Sequence, residues 1–322
     1  EALYIIGEIL GYAGHITTAM RYQEESLRIR RAIQDSRGIA DSLRLIGYIE
    51  TNSGNLQKAV RLSRESCEIR EDIGDLPGLV ISLYTLGTAL FALGQFQESV
   101  EILLRSVTLS RQLGLHDSLI EPVIHLSLAY TLAGTFDEAQ KHIDGVLQSA
   151  ENPRSRGYAC FIRGLIATGK QDYPLAKQWL EKSIDLLQNH VGGGEIEMAR
   201  TWLVIVLWML DQQAEARAAC LRILEVYARP NLIPFSVRNS TLAALACVCA
   251  GMGAFEKALE LHAFVRTFPI MNNIPWLDAI FRVPLSRASE VLSPDRIAAA
   301  QERGRARDLQ ATMMEFLGIL SE

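Results

Sequence analysis

The sequence predicts an all-α solenoid, a stack of antiparallel helical hairpins. Three observations carry this. First, the chain repeats itself: Gly7, Gly47, Gly87 and Ser127 stand 40 residues apart, each preceded by an aliphatic residue (Ile6, Ile46, Leu86, Leu126), and a fixed period of this size marks stacked helical units. Second, a small residue follows each anchor twelve positions later (Ala19, Ala59, Ser99, Ala139). A turn lies between them: Gly14-His15-Ile16, Gly54-Asn55-Leu56, Gly94-Gln95-Phe96 and Gly134-Thr135-Phe136. Third, three more copies keep the twelve-residue distance while the spacing from copy to copy drifts through 37, 40 and 42. Their anchors, turns and small residues are Arg163-Gly164, Gln171-Asp172-Tyr173 and Ala176; Leu203-Val204, Asp211-Gln212-Gln213 and Ala216; Leu245-Ala246, Gly253-Ala254-Phe255 and Ala258. Loops tolerate such drift and packed helices do not.

In chain order, residues 1–12 and 17–34 form the first hairpin, broken at Gly14-His15. Its second helix is amphipathic, with Met20, Leu27 and Ile33 on one side and Arg28, Arg30 and Arg31 outside. Asp35-Ser36-Arg37-Gly38 ends it. Copy two runs from Ile39 to Ile73, and Gly74-Asp75-Leu76-Pro77-Gly78 breaks the chain. Copy three closes at Leu113-Gly114, after which Asp117-Ser118 can cap a helix in which Pro122 sits early. Copy four ends at Glu151-Asn152-Pro153. Copy five leaves through Asn189 to Gly194, where Gly192-Gly193-Gly194 cannot continue a helix and reads as a linker, with a hinge as the alternative. Copy six ends at Arg229-Pro230, with Pro234 following, and copy seven at Phe268-Pro269. Seven hairpins thus occupy residues 1–268. Residues 269–322 depart from the frame and read as an atypical helical cap: Met271 to Pro284 is irregular or briefly helical, and Ser293-Pro294-Asp295 opens a last helical region to Leu320. Arg303, Arg305 and Arg307, with Glu302 and Asp308, suit an exposed outer face; docking of this basic cluster on another domain or a phosphate is the alternative.

Composition narrows the function. A chain of 322 residues, 49% apolar and 21% charged, has a globular composition, and its net charge of −5 argues against a nucleic-acid surface. No apolar run suggests a membrane span. Five cysteines, an odd count, fit a reducing cytoplasm. The chain opens inside a repeat's first helix without initiator Met or signal peptide, so a piece of a longer protein is expected. Catalytic motifs are missing. Gly169-Lys170-Gln171 lacks the Ser or Thr of a phosphate loop, and no HExxH or Gly-x-Ser-x-Gly pattern occurs. Cys247 and Cys249 point apart on a helix, and the six histidines (His15, His116, His125, His142, His190, His262) show no ligand spacing. No cofactor, metal or enzymatic activity is expected.

The Leu-Gly, Gly-x-aromatic and Ala positions resemble tetratricopeptide repeats over residues 1 to 268, in units longer than the usual one. Long units with second helices such as EESLRIRRAI and RESCEIREDI, and the tail PDRIAAAQERGRARDLQATMMEFLGIL, resemble the C-terminal arrays of bacterial STAND regulators. That resemblance implies a tetratricopeptide-like α-solenoid serving as the sensor or protein-docking domain of a signal-transduction ATPase. The nucleotide-binding domain would then lie in cis, upstream of Glu1. The other function considered is a free-standing scaffold for complex assembly.

The resemblance also implies a binding face, because in such arrays the first helix of each repeat lines a concave groove. Residues three or four apart along it are Tyr4, Glu8 and Tyr12; Asp41, Arg44, Tyr48 and Asn52; Tyr84, Thr88 and Phe91; Ile124 and Leu128; Tyr158, Phe161 and Leu165; Thr201, Ile205 and Trp208. Aromatic side chains bring large contact area with few rotors to freeze. An extended peptide or a protein is the expected partner, and a small molecule also fits a concave apolar surface. Packing of the same aromatics as core is the competing reading.

Overall fold

The computed structural model describes residues 1–13, 15–115, 119–189, 194–227 and 235–321, without the side chains of residues 12, 227, 235–238, 283, 284, 320 and 321. The described residues form helices and no strand, in two compact units, Glu1–Ala129 and Tyr130–Glu322.

The first unit contains α1 (Ala2–Tyr12), α2 (Ile16–Ala32), α3 (Ser36–Ser53), α4 (Leu56–Asp72), α5 (Leu76–Ala92), α6 (Phe96–Gln112) and most of α7 (Ile120–Ala133). Each odd helix pairs with the next, α1 with α2, α3 with α4 and α5 with α6. The second helix of one hairpin then packs on the first helix of the following one, α2 on α3 and α4 on α5. The anchor glycines explain the closeness of the pairs. A Cβ on Gly87 would stand 2.5 Å from the Leu103 side chain, and one on Gly47 2.5 Å from the Ser63 hydroxyl. In the third hairpin the Ser99 hydroxyl donates to the carbonyl of Gly87 itself at 2.8 Å, tying the small position to its anchor.

The turn inside each hairpin needs one left-handed residue. Gly54, Gly94, Gly134 and Gly253 supply it with φ between 75° and 85°, where glycine carries no Cβ penalty. In hairpins five and six the same position is held by Gln171 (φ 63°) and Asp211 (φ 60°). The backbone therefore keeps the frame where its spelling is lost. Gly14 and Gly192-Gly193 lie outside the described residues, as do Asp117-Ser118, His116, His190, Arg229-Pro230 and Pro234.

The charged face assigned to α2 from the sequence needs correction. Arg30 is buried and Ile33 is 68% exposed. Ile33 caps the end of α2, beyond the packed stripe. Arg30 turns into the junction with α3, donating to the Gly38 carbonyl at 2.8 Å and the Ser42 hydroxyl at 2.9 Å, with its guanidinium over the Tyr4 ring. One period later Arg70 does the same work, bonded to Ser82 at 3.0 Å and paired with Asp75 and Asp41. Asp75 in turn caps α5 by accepting from the Gly78 N–H. Burial raises the Asp75 pKa, but the Gly78 N–H and the Arg70 and Arg37 guanidiniums outweigh it and hold the carboxyl below its ordinary value. Buried serines complete the junction, with Ser66 donating to the Ala40 carbonyl at 2.7 Å and Ser106 to that of Val80 at 2.8 Å.

The second unit holds the end of α7, then α8 (Phe136–Ser149), α9 (Pro153–Gly169), α10 (Tyr173–Leu187), α11 (Glu195–Met209), α12 (Gln213–Tyr227), α13 (Phe235–Gly251) and α14 (Phe255–Val265). The same alternation of partners recurs, α9 with α10, α10 with α11, α11 with α12 and with α13. Past the seventh hairpin come α15 (Pro269–Asn272), α16 (Leu277–Val291), α17 (Pro294–Arg305) and α18 (Leu309–Ser321). Of the segment read as irregular or briefly helical, Met271 and Asn272 end the short α15 and only residues 273–276 are irregular, since Leu277 starts a 15-residue helix that runs through Pro284. Trp276, at its N-cap, packs on Phe136 and Trp202 and donates from Nε1 to the Thr131 carbonyl at 2.9 Å.

The basic cluster divides: Arg303 and Arg305 are exposed as expected, whereas Arg307, just past the end of α17, is largely covered. Arg303 and Arg307 turn onto α14, where Glu260 is buried: Arg303 reaches its carboxylate at 2.8 Å, and Arg307 bonds both Glu260 and, at 2.7 Å, Glu315 of α18. Lys257 adds a 2.7 Å bond to Glu315. These partners hold the Glu315 carboxyl down at about 2, chiefly through the Arg307 hydrogen bond. Only Arg305 of the three keeps an exposed side chain without joining this network.

Candidate binding face

Periodicity places positions 4, 44 and 84, and again 8, 48 and 88, on one side of three successive first helices of the first unit. The structure joins members of both groups across α1 and α3. Arg44 of α3 donates to the Tyr4 hydroxyl at 2.9 Å and to Glu8 at 3.1 Å, and the Tyr4 hydroxyl lies 3.3 Å from the same carboxylate. Burial pushes the Tyr4 phenol above its ordinary pKa, partly opposed by the Arg44 charge. Arg44 itself is buried, so it acts from beneath, fixing the tyrosine and the carboxylate in place. On the next pair of helices Tyr84 meets His125 edge to face, with its hydroxyl 3.3 Å from Nδ1.

Tyr4, Glu8, Tyr48, Tyr84, Thr88 and Phe91 are partly exposed and Asn52 is exposed. Asn52 donates to the Tyr48 carbonyl at 3.1 Å, an ordinary helical back-bond. Phe91 leans on Phe96, ring centroids 5.7 Å apart. The Tyr12 side chain lies outside the described ones.

The remaining members of the expected face are interior. Ile124, Leu128, Phe161, Leu165, Ile205 and Trp208 are all buried, together with Tyr158 and Thr201. The reason is local packing: Tyr158 stacks on Phe161, Thr201 and Thr241 bring their hydroxyls within 3.3 Å, and Trp208 lies against Gly251 of α13. A spacing of four marks one side of a helix but does not say whether a neighbour covers it. The accessible part of the face therefore belongs to the first unit.

One residue of that face escapes a reading by aromatics. Ile81 is 47% exposed and stands one period after Asp41, in line with Tyr84 and Thr88 on α5. The period itself was the signal. All five cysteines are free and buried, and burial lifts the thiols of Cys67 and Cys249 to about 12. They are small apolar fillers here rather than nucleophiles. Among the described residues no group of three His, Cys, Asp or Glu side chains is placed to hold a metal ion, and no helix is long and apolar enough to cross a membrane.

Comparison with known proteins bears on the same hairpins. The tetratricopeptide repeat family matches residues 80–113, which take in most of α5 and all of α6. No curated protein matches the chain by sequence. By structure it is similar to NprR in complex with its cognate peptide NprX, at TM-score 0.63 and 12% identity over 88% of this chain and 86% of that one. The fold is a tetratricopeptide-type α-solenoid. The apo quorum sensor NprR from B. thuringiensis shares it at TM-score 0.61 and 13% identity, with 88% and 86% of the two chains covered. A Rap protein complexed with competence and sporulation factor does so at 0.51 and 12%, covering 99% of this solenoid and 96% of that chain. BtubC from P. vanneervenii matches at 0.53 and 14%, over 66% of this chain and 91% of its own.

Proposed function

We propose that this solenoid is a recognition module that binds a peptide or protein segment on the first-helix face of residues 1–129. The observation that carries this is the partly exposed, polar and aromatic strip of Tyr4, Glu8, Tyr48, Asn52, Ile81, Tyr84, Thr88 and Phe91 on α1, α3 and α5, held from below by buried Arg44. Rigid helices position such a strip better than loops would, and tyrosines with an exposed amide suit contact with an extended backbone. The likeness in fold to peptide-complexed NprR and Rap supports the reading. A small molecule seated on the same strip is the lesser alternative, and nothing in its chemistry suggests turnover.

In the finer form of this proposal the seven hairpins of residues 1–268, closed by the cap of 269–322, act as the sensor of a cytoplasmic signal-transduction ATPase of the STAND type. Binding would shift a switch domain carried in cis through unequal affinity for its two states. The long, acidic-basic second helices support it, and a free-standing scaffold is the competing form. The test of the shared core is selection of displayed random peptides on the immobilised chain, followed by titration against Tyr48→Ala and Tyr84→Ala. Loss of a central aromatic anchor costs about 2 kcal/mol, roughly thirtyfold in Kd. Equal affinity for the intact chain and both variants would refute the face. The ATPase form is tested separately, by whether a selected peptide alters nucleotide hydrolysis of the full-length protein.

A further inference from the structure

Trp276, at the N-cap of α16, reaches far back along the chain. Its indole N–H donates at 2.9 Å to the carbonyl of Thr131, 145 residues earlier. Its ring packs on Phe136 of α8 and Trp202 of α11, with centroids 6.3 and 5.4 Å away. Gly134 adds bare backbone, where a Cβ would meet nothing nearer than the Trp276 ring at 3.9 Å. All of these residues belong to the second unit.

Register says what kind of place this is. Thr131 and Phe136 stand one period of 40 residues after Phe91 and Phe96. In the first unit Phe91 leans on Phe96 and stays partly exposed. In the second, the smaller Thr131 does not fill the space over the turn aromatic, and Trp276 fills it from the cap. The Thr131 carbonyl lies in the last turn of α7, where helical acceptors run out of donors; its other partner is the Gly134 N–H at 3.1 Å. Two aromatic walls and an acceptor set for a ring N–H make a seat for an indole.

The occupant is lightly tethered. Between α15 and α16 only Ile274 is buried; Trp276 is partly exposed, and Asn273 and Pro275 are exposed. Two residues beyond the tryptophan, Asp278 pairs with Arg266, and α16 packs on α13, α14 and α17. The helix is thus held independently of Trp276, and the segment can leave its seat by local opening. We propose that this seat is a recognition site for a tryptophan-bearing segment of a partner protein, kept filled in cis by the cap's own tryptophan. The occupant sets the partner's chemistry: an indole whose ring N–H is free to donate. The seat shares no residue with the strip on α1, α3 and α5, so either reading can fail alone.

The probe is the acetylated, amidated peptide of residues 272–276, carrying 5-fluorotryptophan and observed by fluorine NMR. Trp276→Ala in the full chain empties the seat and should bind the peptide about tenfold more tightly than the intact chain, whose own tryptophan competes from its tether. Methylating the indole nitrogen of the peptide should weaken binding to the same variant about tenfold, because the Thr131 carbonyl then meets no indole donor. In the intact chain, excess peptide should speed hydrogen exchange of the Leu277 and Ala279 amides, which bond to the Ile274 and Trp276 carbonyls at 3.3 and 3.2 Å, and leave α10 unchanged. A folded Trp276→Ala chain that ignores the peptide, or that binds the methylated form equally well, would overturn the proposal. Should that variant not fold, exchange in the intact chain decides: rates unchanged by excess peptide would make Trp276 a fixed part of the core.

Discussion

The same methyl group, added at two glycines, should move stability in opposite directions. Gly54 ends α3 with φ at 85°, and Gly145 sits inside α8 with ordinary helical backbone. At both positions a Cβ would find no atom within 4 Å, so packing drops out and backbone conformation alone decides. An L-residue held left-handed costs about 1–2 kcal/mol, and the reduced freedom of alanine in the unfolded chain returns about 0.4–1 kcal/mol. Gly54→Ala should therefore destabilise by about 1 kcal/mol. In the helix only the second effect operates together with better propensity, so Gly145→Ala should stabilise by about 0.5–1 kcal/mol. Urea unfolding followed by circular dichroism reads both as shifts of the midpoint at constant slope. If Gly54→Ala is neutral or stabilising, the left-handed turn is not what fixes the hairpin frame, and the explanation of the recurring Gly-x-aromatic turn fails.

Other perturbations separate the remaining parts of the account. Gln171→Gly, at a left-handed position without glycine, should stabilise by about 0.5–1 kcal/mol in the same urea assay, since it removes strain that Gly54 never had. Arg70→Met takes the buried guanidinium from Asp75, leaving it Arg37 and the Gly78 N–H, and should cost about 2–4 kcal/mol, whereas Arg31→Met, at an exposed pair with Glu65, should cost under about 1 kcal/mol; equal losses would show that the junction arginine is ordinary surface charge. The folded Glu315 carboxyl sits at about 2, below its ordinary 4.5. Its contribution is thus present above pH 4.5 and lost as pH falls toward 2, and Glu315→Gln should flatten the pH dependence of the unfolding midpoint across that window.

The hairpin frame was legible because it rests on backbone geometry that few residues satisfy. Glycine at the tight helix contact and at the left-handed turn recurs with the period, and the structure keeps that turn even at Gln171 and Asp211. Charge was harder to read. Hydrophobic periodicity placed Arg30 outside, yet it lies in a junction whose partners come from the next hairpin, Gly38 and Ser42. The repetition of Arg30 and Arg70, Ser42 and Ser82, Asp35 and Asp75 at one period marks it, and that marking was in the sequence all along. The binding face divides for a similar reason. Tyr48 and Phe161 have the same pattern along their own helices, but Phe161 is buried against Tyr158 and its neighbours, while Tyr48 remains partly exposed. Coverage depends on the next layer of structure, which spacing along one helix does not contain. Ile81 was missed because the third helix was read from Tyr84 onward, although Asp41, one period earlier, had been counted.

The most direct test of the binding face is a hydrogen-exchange footprint of the whole chain with a peptide selected on it. Protection confined to α1, α3 and α5, and abolished when Tyr84→Ala weakens binding, is the result predicted here. Protection of α9 and α11 with the first three odd helices unchanged would contradict it, because the buried Phe161, Leu165, Ile205 and Trp208 would then have opened to receive the partner and the exposed strip of the first unit would have no part in recognition.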